Sequence, residues 1–309
     1  MICNSVLDAL GNTPLIRLNR VVAEGGAEIL VKYEAVNVGG SIKTRTAFCM
    51  LDRAEQRGEI TKDSIIVEPT SGNQGIGLAL IGAVRGWHVR IIMPDSVSEE
   101  RRKLVRAYGA ELVLIHDDGD IGACIQKCIE TAGEMARVDS RVWVPGQFDN
   151  PDNPYAQRNY TAEEILRQME GKPVHGFCSG VGTGGTLSGI GERLKEANPD
   201  LVVWASEPEN AAILSGGSVG THLQMGIGDG LIPGNLNRNI FTHIDIVTDA
   251  EAMETSRRLM REEGLMCGIS SGTNVTTALR LAQELGPGKT VVTILPDTGE
   301  RYFSTILFQ

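Results

Sequence analysis

The chain has 309 residues, of which 41% are hydrophobic, and its formal net charge at pH 7 is −10. This length and composition predict a soluble globular protein of two lobes, and no apolar run approaches the roughly 20 residues that cross a bilayer. Because no basic stripe is present, a nucleic-acid ligand is disfavoured and we expect a small-molecule substrate. The first residues lack the pattern of a secretory signal, so we predict a cytoplasmic location.

Short β-rich runs alternate with helical patterns along the chain. The predicted strands lie at 65–67, 89–93, 112–115, 177–178, 201–204 and 291–295. Residues 98–108 predict a charged surface helix, and residues 250–263 predict an amphipathic helix that buries Met253, Leu259 and Met260. This alternation predicts an α/β fold with two lobes, three α/β/α layers and mostly parallel sheets. Ligands of such folds bind beyond the carboxyl ends of the strands, so the loops there are candidate sites.

No metal site is predicted. The six cysteines are dispersed, none forms a C-x-x-C pair, and we expect reduced thiols. Cys124 and Cys128 are four residues apart on a predicted helix, but their apolar neighbours favour helix packing over metal binding. The five histidines have no metal-binding spacing either.

The first candidate loop, residues 37–43, places a glycine pair before Lys43 at the start of an apolar helix. An isolated lysine at such a position is usually a solvated helix charge. The glycine-rich entry and the apolar neighbour Ile42 favour partial desolvation instead, which lowers the pKa of an amine. Lys43 is therefore a candidate Schiff-base nucleophile.

The second loop, residues 69–75, lies between a predicted strand and a helix that we expect from Ile76 onward. It contributes the polar side chains of Thr70, Ser71 and Asn73 beside the free N–H groups of a helix N-terminus. An N-cap would explain one of these residues, but hardly all three. The combination favours binding of a carboxylate.

The third loop, residues 180–186, again separates a strand from a helix. Three of its glycines have the spacing of the dinucleotide fingerprint, namely Gly180, Gly182 and Gly185. Glu207 follows at the end of the next strand, so a nicotinamide oxidoreductase remains an open interpretation. The hydroxyls of Thr183 and Thr186 suit a phosphomonoester better, and spacing alone does not decide between the two ligands.

The fourth loop, residues 268–272, is a turn of small residues that opens a helical run at 273–285. An N-cap is the ordinary role for a serine in this position, and either Ser270 or Ser271 could fill it. This loop becomes informative only together with the other three.

Three further motifs accompany these loops, namely GNTPL at 11–15, QFDNP at 147–151 and PDTGERY at 296–302. In this order, the segments resemble the cysteine synthase (O-acetylserine sulfhydrylase) family, which belongs to the tryptophan-synthase-β-like (fold type II) pyridoxal-phosphate enzymes. The resemblance spans nearly the whole chain, and it favours pyridoxal 5'-phosphate over a dinucleotide at the third loop.

The resemblance implies roles for individual residues. Lys43 would bind the cofactor covalently and later remove the α-proton of the substrate, Asn73 would bond the cofactor's 3'-oxygen, and Ser270 would face the pyridine nitrogen. The phosphate would be bound by Gly182, Thr183, Gly184, Gly185 and Thr186. The substrate would be bound by Thr70, Ser71, Asn73, Gln74 and Gln147.

The resemblance also implies a large cofactor-binding domain, residues 1–34 and 146–309, and a smaller mobile substrate-binding domain, residues 35–145. It implies a homodimer, and it leaves open a complex with serine acetyltransferase. The implied reaction converts O-acetyl-L-serine and sulfide to L-cysteine and acetate through an α-aminoacrylate intermediate. Related activities stay open: cystathionine β-synthase, β-cyanoalanine synthase, a cysteine lyase that releases hydrogen sulfide, and a catalytically silent protein that binds serine acetyltransferase.

The chain departs from the usual family motif at three positions near these loops. Val38 replaces a proline, Thr44 replaces an aspartate, and Gln74 replaces a threonine. Loss of the carboxylate at position 44 is expected to remove an ion pair with Arg45. The cofactor expectation is unchanged, but the leaving group and the nucleophile stay open.

Overall fold

The computed structural model describes residues 2–119 and 121–309; residues 1 and 120, which fall within the predicted domain ranges, lie outside this description. The first sheet has six strands, in the spatial order β1 (Leu15–Arg17), β2 (Glu28–Tyr33), β10 (Thr290–Leu295), β7 (Gly176–Gly180), β8 (Val202–Pro208) and β9 (His243–Val247). Only β1 is antiparallel to its neighbour. The second sheet is wholly parallel, in the order β5 (Glu111–Ile115), β4 (His88–Pro94), β3 (Ile65–Pro69) and β6 (Val142–Trp143).

Within the described residues, nine α-helices connect and cover these strands. They are α1 (Lys43–Gln56), α2 (Asn73–Arg85), α3 (Glu99–Ala107), α4 (Ile121–Val138), α5 (Asp152–Ala156), α6 (Ala162–Gln168), α7 (Gly185–Ala197), α8 (Asp249–Glu263) and α9 (Ile269–Leu285). A π-helical turn, Gln157–Thr161, joins α5 to α6. In the described residues, no helix is long and apolar enough to cross a membrane.

Both sheets are covered by helices on both faces. On the six-stranded sheet, Val292 packs in a core with residues of α6 and α7, whereas its neighbour Val291 packs in another core with residues of α8 and α9. On the four-stranded sheet, Ile66 packs among residues of α1, α2 and α3, whereas Val67 packs against α4. Successive side chains of a strand point to opposite faces, so each sheet is the middle of three layers. The predicted α/β fold with mostly parallel sheets is confirmed.

The polar ends of two helices differ from the sequence prediction. Helix α2 begins at Asn73 rather than Ile76, and α9 begins at Ile269 rather than at residue 273. The first turns contain polar side chains that line a cavity, Asn73 and Gln74 in α2 and Ser270 in α9, so the sequence pattern placed both helix starts too late. The prediction also missed β1, β2, β6 and β9.

The predicted charged helix and the predicted amphipathic helix differ from expectation in their buried residues. The helix predicted at 98–108 forms as α3, but Arg101 on it is only 2% exposed. In α8, Leu259 is fully buried as predicted, whereas Met253 and Met260 are only half-buried. The small residues Ala252 and Ser256 occupy the centre of that buried face instead.

Arg45 retains ion pairs despite Thr44. Its guanidinium donates to Glu34 at 2.9 Å and to Glu164 at 2.7 Å, and Lys32 Nζ donates to Glu164 at 2.8 Å. Arg45, Lys32 and Glu34 are almost wholly buried, and Glu164 is 7% exposed. Arg45 is therefore paired without a carboxylate at position 44, because its partners are Glu34, directly after β2, and Glu164 of α6.

The strands β3 to β6 all lie within residues 65–143, inside the predicted smaller domain. The exact division at residues 34/35 and 145/146, and the mobility of the smaller domain, stay predictions.

Candidate active site

A cavity lies where the carboxyl ends of strands from both sheets meet. The predicted site residues that line it are Lys43, Thr70, Ser71, Asn73, Gln74, Gln147, Gly182, Thr183, Gly184, Thr186 and Ser270. They come from loops that are far apart in the sequence, and the parallel strand order brings them together. Of the predicted site residues, Gly185 alone does not line the cavity.

Lys43 is the first residue of α1, and the loop before it is hydrogen-bonded to the segment after β10. Gly39 and Gly40 have φ angles of 73° and 68°, a left-handed turn that suits glycine. The Ile42 amide then donates to the Pro296 carbonyl at 2.9 Å. The side chain of Lys43 therefore enters the cavity from a backbone that is fixed on both sides.

The turn before Lys43 explains one departure from the family motif. Val38 uses its N–H to donate to Asn37 Oδ1 at 2.9 Å, and Gly11 donates to the same oxygen at 2.9 Å. A proline has no N–H and could not make the first bond. The Asn37 side chain thus supports this turn without the proline.

Two carboxylates act on the charge of Lys43. Burial lowers the pKa of the Lys43 ammonium from its ordinary value of 10.5, and the negative charges of Asp229 and Asp297 oppose this effect. Asp229 also lines the cavity, and burial raises the pKa of its carboxyl. The burial of Lys43 agrees with the desolvation expected from its sequence neighbours.

The loop after β7 is shaped for close approach to an anion. A Cβ added to Gly182 would lie 2.5 Å from the Gly226 carbonyl oxygen, so no larger residue fits there. Gly184 lines the cavity and is the N-cap of α7, so the free N–H groups at the start of this helix lie beside the cavity. The Thr183 hydroxyl accepts a hydrogen bond from Asn153 Nδ2 at 2.8 Å, which orients it. These residues fit the phosphate of a cofactor.

Gly185 has a packing role that the sequence did not indicate. A Cβ there would lie 2.1 Å from Asn153 Oδ1, so the missing side chain allows Asn153 to approach. Asn153 also donates to the Gln147 carbonyl at 2.8 Å, and it therefore joins the third loop to the substrate side of the cavity.

The loop after β3 presents hydroxyls and amides at the start of α2. The Thr70 hydroxyl accepts from the Gly72 N–H at 3.2 Å, and Ser71 is half-buried beside it. Gln147 Nε2 donates to the Pro69 carbonyl at 3.4 Å, which holds this amide against the same loop. The N-terminal N–H groups of α2 add a partial positive charge, so the arrangement suits a carboxylate.

Gln74 is more buried than a simple substrate ligand. It is 1% exposed, and its Nε2 donates to Met50 Sδ at 3.4 Å. Its Oε1 has no hydrogen-bond partner within the described residues. Gln74 therefore lines the inner wall of the cavity and partly fills the core behind the loop after β3, called the carboxylate loop below.

Ser270 lies in the first turn of α9 and is 4% exposed. Its hydroxyl has no protein partner within the described part of the chain. One turn later, Asn274 accepts from the Gly180 N–H at 2.6 Å and donates to the Ile294 carbonyl at 2.8 Å. This bridge fixes the start of α9 beside the third loop.

Three charged residues were not predicted from the sequence: Asp229 and Arg101 line the cavity, and Asp297 lies next to it as a partner of Asn73. Asp229 follows a glycine-rich stretch at 226–230, which was a usable signal. Arg101 gave no signal, because it is one of several charges on α3. Asp297, which is 0% exposed, accepts from Asn73 Nδ2 at 2.7 Å; its motif was noticed only through the family resemblance.

Glu207 does not support the dinucleotide interpretation. Its carboxylate accepts from the N–H of Leu214 and of Ser215, each at 2.9 Å, and from the Ser215 hydroxyl at 2.6 Å. These bonds fix the loop after β8. The carboxylate is therefore engaged by protein groups and is 2% exposed.

In residues 2–119 and 121–309, no three or more histidine, cysteine, aspartate or glutamate side chains are grouped so that they could hold a metal ion. Cys124 and Cys128 are 2% and 1% exposed on the inner face of α4. Their position agrees with the packing role predicted for them.

Comparison with known proteins places the chain in a family. Residues 6–297 match the family described as "Pyridoxal-phosphate dependent enzyme". A cysteine synthase of Staphylococcus aureus is 46% identical over 305 residues, which are 99% of this chain and 97% of the relative. Similar solved structures include O-ureido-L-serine synthase (TM-score 0.94, 42% identity, 100% and 96% coverage) and a hydrogen sulfide-producing enzyme of Fusobacterium nucleatum (TM-score 0.91, 40% identity, 97% and 100% coverage). The chain therefore belongs to the pyridoxal-phosphate-dependent enzyme family and, within it, to the cysteine synthases.

Proposed function

We propose that the chain uses the cavity to convert O-acetyl-L-serine and sulfide to L-cysteine and acetate, with Lys43 as its catalytic residue. The observation that carries the proposal is that the buried Lys43 shares one cavity with the glycine-rich loop at 182–186 and the carboxylate loop at 70–74. In this reaction the acetate group leaves the β-carbon and sulfur takes its place. The α-amino and α-carboxylate groups remain unchanged.

The cavity residues divide into those that hold the cofactor and those that hold the substrate. Lys43 would bind the cofactor covalently, residues 182–186 would bind its phosphate, Asn73 its 3'-oxygen, and Ser270 would face its ring nitrogen. When bound, pyridoxal phosphate withdraws electrons and makes the α-proton of the amino acid acidic.

Lys43 would act twice. Because burial lowers the pKa of its ammonium, a larger fraction of the amine is neutral near pH 7 than for an exposed lysine. A neutral Nζ can attack a carbonyl carbon, and it can later accept the α-proton of the substrate. Asp229 and Asp297 stabilise the ammonium that forms when Nζ takes up that proton.

The carboxylate loop would orient the substrate. Thr70, Ser71 and Gln147 would donate hydrogen bonds to the α-carboxylate at the start of α2, whose helix dipole favours an anion. Closure of the predicted smaller domain over this loop would exclude water from the β-carbon. Fixing the carboxylate at this end points the β-substituent toward the rest of the cavity.

Ser270 would set the protonation of the cofactor ring. A hydroxyl is neutral, so it cannot hold a proton on the ring nitrogen as a carboxylate does. By leaving the ring nitrogen unprotonated, the Ser270 hydroxyl would favour loss of the β-substituent over transamination.

A single-turnover experiment tests the proposal. Purified protein is mixed with pyridoxal phosphate and then with O-acetylserine in the absence of sulfide, and released acetate is measured. The ping-pong scheme predicts a visible absorption band, one equivalent of acetate per site, and cysteine only after sulfide is added. Lys43→Ala should lose the band and the acetate release.

Two results would contradict parts of this proposal separately. A protein that gains no visible band with added pyridoxal phosphate would remove the cofactor assignment. A protein that gains the band but releases no acetate would retain the cofactor and remove O-acetylserine as the substrate; phosphoserine, serine and cysteine would then be tested in its place.

Asp229 supports a second candidate, a lyase that converts L-cysteine and water to L-serine and hydrogen sulfide. A carboxylate in the cavity can accept a proton from water, and burial raises the pKa of the Asp229 carboxyl, which makes its carboxylate a stronger base. The similar Fusobacterium protein is described as hydrogen sulfide-producing. If this candidate holds, Asp229→Asn should reduce sulfide release from cysteine much more than cysteine synthesis from O-acetylserine. An equal effect on both reactions would argue against it.

The assembly is proposed on the family resemblance. We infer a cytoplasmic homodimer, and light scattering of the purified protein should give twice the mass of the 33.2 kDa chain. The complex with serine acetyltransferase is tested by adding that enzyme's carboxyl-terminal peptide, which should compete with O-acetylserine if it enters the active site.

A further inference from the structure

The side-chain amide of Asn73 is held from two sides by groups of opposite charge. Asn73 Nδ2 donates to Asp297 Oδ2 at 2.7 Å, and Asn73 Oδ1 accepts from Arg301 Nη1. Arg301 also donates to the Gly39 carbonyl through Nη2. The segment after β10 therefore contacts both the loop at 37–43, which precedes Lys43, and the carboxylate loop.

These two partners leave the amide one orientation. A guanidinium can only donate hydrogen bonds, and an ionised carboxylate can only accept them. If the amide were flipped, its NH₂ group would face the donors of Arg301 and its oxygen would face the carboxylate of Asp297. Both bonds would become repulsive, so the charges fix Nδ2 on the Asp297 side. The second hydrogen of Nδ2 is then available to an acceptor in the cavity.

The carboxylate of Asp297 packs closely against Gly268. A Cβ on Gly268 would lie 2.1 Å from Asp297 Oδ1, so the carboxylate occupies the space of a missing side chain. The Tyr302 hydroxyl donates to Asp297 Oδ2 at 2.8 Å, and Asp297 itself is fully buried. Its backbone forms an isolated antiparallel bridge with Ser41, two residues before Lys43.

We propose that Asp297 is a positioning residue, which orients the Asn73 amide so that one N–H is directed to the 3'-oxygen of the cofactor. The inference rests on the proposed function in one respect, the placement of the cofactor beside Asn73. An anionic ring oxygen would receive a hydrogen bond from a donor whose orientation is fixed before binding. Asp297 has a charge effect on Lys43, but it makes no hydrogen bond to the reacting atoms, and its effect on cofactor binding is exerted through Asn73.

The test replaces Asp297 by asparagine, which has the same shape but presents both a donor and an acceptor. The affinity of the Asp297→Asn variant for pyridoxal phosphate should fall by about tenfold, the usual cost of losing one well-oriented bond to a charged group, here the bond from Asn73 to the 3'-oxygen. The visible band should also change in position or pH dependence. Asp245→Asn is the matched control. Asp245 is also a buried carboxylate, 7% exposed, that accepts from Thr277 at 2.7 Å and from Arg280 at 2.9 Å, but it does not line the cavity. It should reduce thermal stability without changing the band.

A double-mutant cycle shows whether Asp297 acts through Asn73. In an Asn73→Ala background, Asp297→Asn should change cofactor affinity by less than about twofold, because no amide remains to be oriented. If Asp297→Asn folds poorly, Gly268→Ala takes its place, since it keeps the charge but displaces Oδ1. Equal tenfold losses with and without Asn73 would overturn the proposal, and so would a wild-type spectrum and affinity in Asp297→Asn. If the wild-type protein itself bound no pyridoxal phosphate, the proposed function would fail instead.

Discussion

Arg101 and Tyr302 are joined by a hydrogen bond and by a cation–π contact. Arg101 Nη2 donates to the Tyr302 hydroxyl at 2.8 Å, and the guanidinium carbon lies 4.8 Å from the ring centroid. Arg101 belongs to α3, beside the four-stranded sheet, whereas Tyr302 follows the last strand of the six-stranded sheet. Ser98 strengthens the link, since its hydroxyl donates to the Arg301 carbonyl at 2.9 Å. These contacts connect the two sheets next to the cavity.

Arg101→Met should weaken this connection while keeping an unbranched apolar side chain. We expect the free energy of unfolding to fall by about 1–3 kcal/mol, because a buried hydrogen bond and a cation–π contact are lost. KM for O-acetylserine should rise more than kcat falls, since the Arg101 side chain also packs against Gly72 of the carboxylate loop. Urea unfolding and steady-state kinetics measure both effects. Arg141→Met, which removes an exposed pair with Asp139, is the control and should change stability by less than about 1 kcal/mol.

Gly182→Ala should reduce cofactor affinity. The added Cβ would lie 2.5 Å from the Gly226 carbonyl, and backbone must move to relieve that contact. We expect at least a tenfold loss in affinity, because about 1.4 kcal/mol of distortion in the bound state suffices for that factor. Equilibrium dialysis measures it. Gly133→Ala is the control: it lies within α4 with nothing near its Cβ, and it should bind normally and stabilise the helix by about 0.5–1 kcal/mol.

Glu164→Gln should destabilise the fold strongly. Burial tends to raise the pKa of Glu164, but hydrogen bonds and charges from Arg45 and Lys32 outweigh it and lower the pKa to about 2. Removing this charge leaves two buried cations with Glu34 alone, a loss that typically costs about 3–5 kcal/mol. Glu163→Gln tests the adjacent residue, which pairs with Arg193 at the surface, and should cost under about 1 kcal/mol. Similar losses in the two variants would contradict the role assigned to the buried pairs.

Glu68 should make stability depend on pH near neutrality. Burial raises its pKa to about 7, although the N–H groups of Gly146 and Gln147 donate to its carboxylate and lower it in part. Because the folded state binds the proton more tightly than the unfolded state, the contribution is fully present below pH 4.5 and is lost as pH rises through about 7. The slope should reach at most about 1.4 kcal/mol per pH unit. Glu68→Gln should flatten urea-unfolding stability between pH 5 and 7, and an unchanged slope would exclude this source.

Much of the site could be predicted because its residues lie in short loops with distinct composition. Lys43 is preceded by two glycines, and Thr183 lies among glycines after a strand, so local sequence indicated both. Asn73 was predicted to lie in the site, but its position as the first residue of α2 was not predicted, since the apolar helical pattern begins only at Ile76.

The missed residues share a physical cause. Arg101 looks like any other charge on α3, and only the packing of that helix against Tyr302 buries it. Asp297 depends on Gly268, which is distant in sequence, for the space around its carboxylate. Hydrophobic periodicity identifies which face of an element is apolar, but it cannot show which polar group will find a partner elsewhere in the chain.

The bond between Asn73 and Asp297 joins residues 224 positions apart, and the contact between Gly39 and Arg301 spans 262. Contacts of such long sequence separation can form only after the entropy of closing a large loop has been overcome. Helices such as α1 and α2, which contact each other locally, can form before that point. We therefore expect these contacts beside the cavity, between Asn73 and Asp297 and between Gly39 and Arg301, to be among the last to form during folding. Pyridoxal phosphate would then bind a nearly finished chain and stabilise its final step, rather than guide the early collapse.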